Sequence, residues 1–212
     1  MELADALQQY FRVIGDIEND NLPVSLTARY RWVKRPGDAG RNSLARMMCD
    51  LGYSSGVEIG THKGFSAKMW CSANPHLKLT CIDPYMPYGV KQSKQHHEIN
   101  YESACRLLER FSATIVREQS LDVVDDFEDE SLDFVYIDGD HTFDACVQDV
   151  IRWSAKVRNG GMVLMHDYYA FQRAGVMKAV DAYTHCHHIE PWYVTKDHCP
   201  TAFWQRGAER CK

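Results

Sequence analysis

The chain has 212 residues, 45% of them hydrophobic, which suits one domain with a single sizeable core. Its formal charge of −5, from 24 Lys and Arg against 29 Asp and Glu, argues against a nucleic-acid-binding surface, which needs a clustered cationic excess. A local basic patch at residues 29–35 is the exception that the sequence allows. No apolar run approaches the roughly 20 residues that span a bilayer, and the opening MELADALQQYFRVIGDIEND is too acidic and polar for a signal peptide. The expectation is a cytoplasmic protein with neither a membrane nor a nucleic acid as partner. Eight cysteines without a CxxC pair, with Cys81 and Cys146 inside apolar patterns, read as reduced structural thiols.

In chain order, residues 1–50 carry helical periodicity broken by Pro23 and by the polar turn RPGDAG. NSLARMMCDLG then reads as an amphipathic helix, capped by Asn42 or Ser43 and stopped at Gly52. This part predicts a helical N-terminal extension or lid on a single domain spanning 1–212. From Gly56 the pattern changes to GVEIG as a strand, THKGFSAKMWCS as a helix, LKLTCID as a strand and SKQHHEINYESACRLLERF as a helix. ATIVREQ and LDFVYID follow as strands, HTFDACVQDVIRWSAKV as a helix and GGMVLMHD as a strand. After the helix-like AGVMKAVDAYTHC, the runs HIEPWYV and TAFWQRG flank the polar TKDHCP and suggest a closing antiparallel pair. Strands alternating with helices predict a three-layer α/β/α fold, its mostly parallel sheet covered on both faces.

In such a sheet, ligands bind beyond the carboxyl ends of the strands. Those ends are polar here: Glu58 and Gly60, Asp83, Asp138, and His166 with Asp167. The stretch EIGTHKGFS joins a strand to its helix, and its glycines allow a close backbone approach to a ligand at the positive helix end. A dinucleotide site would need G-x-G-x-x-G, whereas this loop offers only Gly60 and Gly64 and places Glu58 where a pyrophosphate would be repelled. A nucleoside bearing a cation tolerates that carboxylate, and Asp83, ending the next strand, is placed to accept ribose hydroxyls. S-adenosylmethionine fits this description.

With EIGTHKGFS, LTCIDPY, REQSLDVV, IDGDH and NGGMVLMHDYY together, residues 45–206 resemble the class I S-adenosylmethionine-dependent methyltransferases of the small-molecule O-methyltransferase type, related to catechol and caffeoyl-CoA O-methyltransferases. The resemblance implies a Rossmann-like, seven-stranded sheet with one antiparallel C-terminal strand. It also implies that Glu58, Gly60, His62 and Ser66 surround the methionine part of the cofactor, with Asp138 beside them. Asp83 would hold the ribose, and Gln119 with Ser120 would contact the adenine.

In that family a divalent cation is held at positions that fall here on Asp138, Asp167 and Tyr168. Since Tyr168 stands where the family has Asn, His166, Asp140 or His141 would have to complete the site, with His166 the residue grouped here with Asp138 and Asp167. Oxygen ligands suit Mg²⁺ or Mn²⁺, while a histidine tilts the choice toward a transition metal. The family's catalytic lysine falls on His141, whose ordinary pKa near 6.5 suits a general base at neutral pH. Two simpler roles compete with these. Asp140 or His141 would cap the helix that follows, and Asp83 would initiate a turn before Pro84.

The implied reaction is methyl transfer to a hydroxyl of a small acceptor, metal-assisted, with residues 84–101 and the first fifty shaping the acceptor pocket. A homodimer is left open. THCHH, residues 184–188, has no standard zinc spacing, and Trp192 and Trp204 read as packing for the closing strands. Two other readings stand beside this one: a nicotinamide-dependent oxidoreductase on a related doubly wound sheet, and a methyltransferase-like binding module without activity.

Overall fold

The computed structural model describes residues 1–14, 23–29, 39–87, 93–170 and 172–207. All of the basic patch of residues 29–35 but Arg29, most of the RPGDAG turn, part of the 84–101 segment and Cys211 lie outside the described residues.

The chain begins with helix α1 (Leu3–Tyr10), strands β1 (Phe11–Ile14) and β2 (Val24–Ala28), and helix α2 (Ala39–Asp50). Then come β3 (Ser55–Ile59), α3 (Phe65–Ala73), β4 (Lys78–Ile82), α4 (Lys94–Leu108), β5 (Ala113–Val116) and the short α5 (Ser120–Val123). The remainder is β6 (Leu132–Ile137), α6 (Phe143–Ser154), β7 (Val157–Met165), α7 (Gly175–Cys186), β8 (Tyr193–Thr195) and β9 (Ala202–Gln205). One sheet contains all nine strands found among the described residues, in the order β1-β2-β8-β9-β7-β6-β3-β4-β5.

The seven strands β3 to β9 match the expected set, with β9 running antiparallel between β7 and β8. The other two are a correction. Residues 1–50 are not a purely helical extension, because β1 and β2 form an antiparallel hairpin that lengthens the sheet to nine strands by pairing with β8. Phe11 is buried in β1 beside the exposed Arg12 and Val13, and Leu26 is the one fully buried residue of β2, so β2 produces no readable alternation. The hairpin is fixed instead by backbone pairing and by Arg29, whose Nε donates to the carbonyls of Phe11 at 2.7 Å and Gln8 at 2.6 Å.

Both faces of the sheet are covered, which is why every residue of β6 is buried. Phe134 and Tyr136 face a core shared with Trp70, Leu44 and Met47 of α3 and α2. Val135 and Ile137 face the opposite core, with Trp153, Val150 and Val180 of α6 and α7. Truncating one of the fully buried tryptophans to Ala would cost about 3–5 kcal/mol.

Two helix starts differ from the sequence reading. α2 begins at Ala39 rather than after Asn42 or Ser43, because its first N–H groups are received from outside the helix. The carboxylate of Asp197, in the β8–β9 loop, accepts from Gly40 N at 3.0 Å and Arg41 N at 3.2 Å. α6 is capped by Thr142, whose Oγ1 accepts from Ala145 N, so neither Asp140 nor His141 is its cap.

The connections out of β3 run to β4 on one side, while β6 lies on the other, so the strand order reverses between β3 and β6. A crevice opens above their carboxyl ends at such a switch point.

Candidate active site

Gly60 closes β3 with φ +86°, and a Cβ there would lie 2.0 Å from the carbonyl oxygen of Asp138. Only glycine allows the loops leaving β3 and β6 to meet this closely. Glu58, two residues earlier, is completely buried, and neither of its carboxylate oxygens has a hydrogen-bond partner among the described residues. Burial pushes its pKa well above the usual range, and Asp138 adds to the rise. The Trp70 indole, itself without a well-aligned acceptor, and the Arg41 charge offset this only in part.

Asp83 is a contrast in the same cleft. Its Oδ2 accepts from His62 N at 2.8 Å and its Oδ1 from Tyr85 N at 2.8 Å, so it ties the glycine loop to the β4 tip and makes the expected turn at Pro84. A carboxylate has about four lone-pair sites, which leaves room for ribose hydroxyls. His62 therefore joins the site through its backbone, and its ring is exposed at φ +49°. Ser66, on the first turn of α3, accepts a 3.4 Å hydrogen bond from Arg41 Nη1.

On the adenine side expected from the resemblance, Gln119 is exposed at the start of α5. Ser120 Oγ donates to Asp149 Oδ1 at 2.6 Å. Asp149, 5% exposed, is pushed up to about 6 by burial despite that bond.

At the tips of β6 and β7, the imidazole of His141 lies between two carboxylates, with Nε2 3.0 Å from Asp167 Oδ2 and 3.8 Å from Asp138 Oδ1. Contact with Asp167 raises the His141 pKa against the effect of burial, and Asp138 adds to the rise. Burial and the neighbouring Asp167 push Asp138 up to about 7. Burial also acts to raise Asp167, but its contacts with His141 and His166 outweigh this and hold it below the usual carboxylate range.

His166 is buried on the far side of Asp167. Its Nδ1 is 3.1 Å from Thr201 Oγ1 and its Nε2 is 3.4 Å from Asp167 Oδ1. The structure thus sorts the candidate metal ligands into two groups sharing only Asp167: Asp138, His141 and Asp167 in one, and His166, Asp167 and Cys199 in the other. Asp138 and His166 do not meet in a single group as the sequence reading had them. Tyr168 turns away altogether, donating its hydroxyl to Asp181 Oδ1 at 2.7 Å on α7.

Three residues of this region escaped the sequence reading: Arg41, Asp149 and Cys199. Arg41 comes from α2 and Cys199 from the β8–β9 loop, so nothing local marks either. Asp149 falls on the buried stripe of α6, where an acid at an apolar position was the available signal.

The family model described as "Methyltransferase domain" matches residues 57–168. The chain is 30% identical over 116 residues to an uncharacterised protein of Sinorhizobium fredii, covering 52% of this chain and 13% of that one. The two curated relatives it matches are spanned over only 13% and 58% of their lengths, less than two thirds of either. Among solved structures, it is similar to the O-methyltransferase from Bacillus cereus in complex with SAH, with TM-score 0.57 and 14% identity over 78% of this chain and 80% of that one. It is also similar to the N-methyltransferase NodS from Bradyrhizobium japonicum in complex with S-adenosyl-L-homocysteine, with TM-score 0.57 and 15% identity over 95% of this chain and 97% of that one. At these identities the two structures speak for the fold.

Proposed function

The chain belongs to the family of methyltransferase domains, and from that premise we propose that it transfers the methyl group of S-adenosylmethionine to a hydroxyl of a small-molecule acceptor. The observation that carries the choice of oxygen is the His141 imidazole, its Nε2 set 3.0 Å from Asp167 Oδ2. A neutral amine already offers a lone pair, whereas a hydroxyl is a poor nucleophile until its proton leaves, so a positioned base favours the oxygen acceptor.

In this reading the acceptor oxygen attacks the sulfonium methyl in line. The new O–CH₃ bond forms as the C–S bond breaks, its electron pair stays on sulfur, and the hydroxyl proton passes to Nδ1 of His141, the ring nitrogen that does not face Asp167. Asp167 stabilises the imidazolium that results. Glu58, Gly60, His62, Ser66 and Asp138 line the methionine side of the donor, Asp83 faces its ribose, and Gln119 with Ser120 face its adenine.

Metal assistance belongs to the same proposal. The three-oxygen set of the catechol type does not fit, since the Tyr168 hydroxyl is committed to Asp181. A mixed set fits better, because the donor atoms of Asp138, His141 and Asp167 all lie within 4.8 Å of one another, as do those of His166, Asp167 and Cys199. Nitrogen and sulfur donors favour a transition metal over Mg²⁺. A cation bound there would act as a Lewis acid that lowers the acceptor's pKa.

A cytoplasmic setting is also part of the proposal: seven described cysteines are free, and no helix among the described residues is long and apolar enough to cross a membrane. The nicotinamide reading falls with the family assignment, and an inactive module would bind the donor without turnover.

The test is methyl transfer from labelled donor to a panel of hydroxylated acceptors. His141→Ala should slow the chemical step about 10²–10⁴-fold, with unchanged affinity for S-adenosylhomocysteine. Unchanged turnover would remove His141 as the base. Chelation that leaves activity intact would remove the metal and leave the rest standing.

A further inference from the structure

The donor's amino-acid end is a zwitterion, and the cleft offers it a partner of each sign. The orphaned carboxyl of Glu58 is one. The other is Arg41, half-buried on the first turn of α2, outside the segment matched by the family model. Its guanidinium donates to Ser66 Oγ, and its charge acts on Glu58, Tyr136 and Asp138. Asp197 receives the N–H groups of Gly40 and Arg41, and it can approach only because Gly40 lacks a side chain, since a Cβ there would lie 2.4 Å from Asp197 Oδ2. The β8–β9 loop therefore fixes where α2 starts, and through that where Arg41 points.

Resting on the S-adenosylmethionine reading, in which Glu58 and Ser66 already line the methionine part, we propose that Arg41, from outside the matched segment, clamps the donor's α-carboxylate. The Arg41 fork can give two parallel N–H···O bonds to a carboxylate, with the Ser66 hydroxyl as a further donor. The carboxylate lies on the α2 and α3 side and the ammonium against the sheet, which turns the sulfonium toward Asp138 and His141. Arg41 is a positioning residue for methyl transfer, acting through the donor and not through the acceptor.

The test compares two ligands by calorimetry on the full chain. S-adenosylhomocysteine carries the amino-acid end, and 5′-methylthioadenosine is the same nucleoside thioether without it. Wild type should bind the first at least 10-fold more tightly. Arg41→Gln should weaken S-adenosylhomocysteine by 10–100-fold and change 5′-methylthioadenosine by less than 2-fold. Arg41→Lys should recover only part of the loss, and Ser66→Ala should show a smaller loss in the same direction.

Equal weakening of both ligands by Arg41→Gln, in protein that melts as wild type does, would overturn the clamp, as would an unchanged S-adenosylhomocysteine affinity. Wild type binding 5′-methylthioadenosine as tightly as S-adenosylhomocysteine would overturn it while sparing the donor reading. Wild type binding neither would overturn both.

Discussion

Two buried acids of neighbouring strands have opposite surroundings. Asp133, near the amino end of β6, has its carboxylate saturated. Oδ2 accepts from Ser54 N at 2.6 Å and Ser55 N at 2.9 Å, and Oδ1 accepts from Arg158 Nε at 2.7 Å. Burial acts to raise its pKa, but those bonds prevail and hold it below the usual range. Glu58, near the carboxyl end of β3, is more deeply buried, accepts no hydrogen bond of good geometry among the described residues and is raised. A carboxyl that serves the fold is satisfied by the fold. One left unsatisfied at the edge where ligands bind is a cost to stability that a ligand can recover.

The largest effect should come from the satisfied acid. Asp133→Ala orphans two backbone N–H groups and loosens Arg158, at a cost of about 2–4 kcal/mol, the lower part of the range allowing for Arg158 returning to solvent. A urea titration would measure it, and the folded fraction should keep its affinity for S-adenosylhomocysteine. Because the folded pKa is depressed, this contribution is present above the unfolded value near 3.9 and disappears as pH falls through the folded value. A loss of affinity as large as the loss of stability would blur the distinction between the two ends of the sheet.

Glu58→Gln should do the reverse, weakening S-adenosylhomocysteine about 10–100-fold, or roughly 1.4–2.8 kcal/mol, while stabilising the ligand-free protein. A raised carboxyl destabilises once ionisation is forced on it. The gain in melting temperature should therefore be clear at pH 8 and vanish below about pH 4. Destabilisation at pH 8 would mean that Glu58 has a structural partner.

Asp149 lies between the two extremes, with one hydrogen bond and a pKa near 6. Asp149→Asn keeps an acceptor for Ser120 and should stabilise by about 1–2 kcal/mol at pH 8, less at pH 5, because only an ionised Asp149 is penalised. Equal melting temperatures for the two proteins at both pH values would place Asp149 with the satisfied acids.

The same contrast explains what could be read from the chain. Glu58, Asp83, Asp138 and Asp167 were legible because each ends an apolar strand pattern, and a carboxylate there needs a reason. Arg41 was not, since its role depends on Asp197, which is distant in sequence and caps α2. The β1–β2 hairpin was hidden because β2 buries a single side chain, which gives no period, and the turn of Tyr168 toward Asp181 depends on where α7 packs. Strand tips are written locally; the groups that come to meet them are not.

The central claim is that the buried Glu58 carboxyl, its pKa raised by burial, receives the cationic end of a sulfur nucleoside. Its most direct test is the calorimetric titration of S-adenosylhomocysteine at pH 7 in two buffers of different ionisation enthalpy. The account predicts binding with net release of protons as Glu58 ionises against the ligand's ammonium, and a smaller release from Glu58→Gln. No binding by the folded protein, or binding that exchanges no proton, would contradict it.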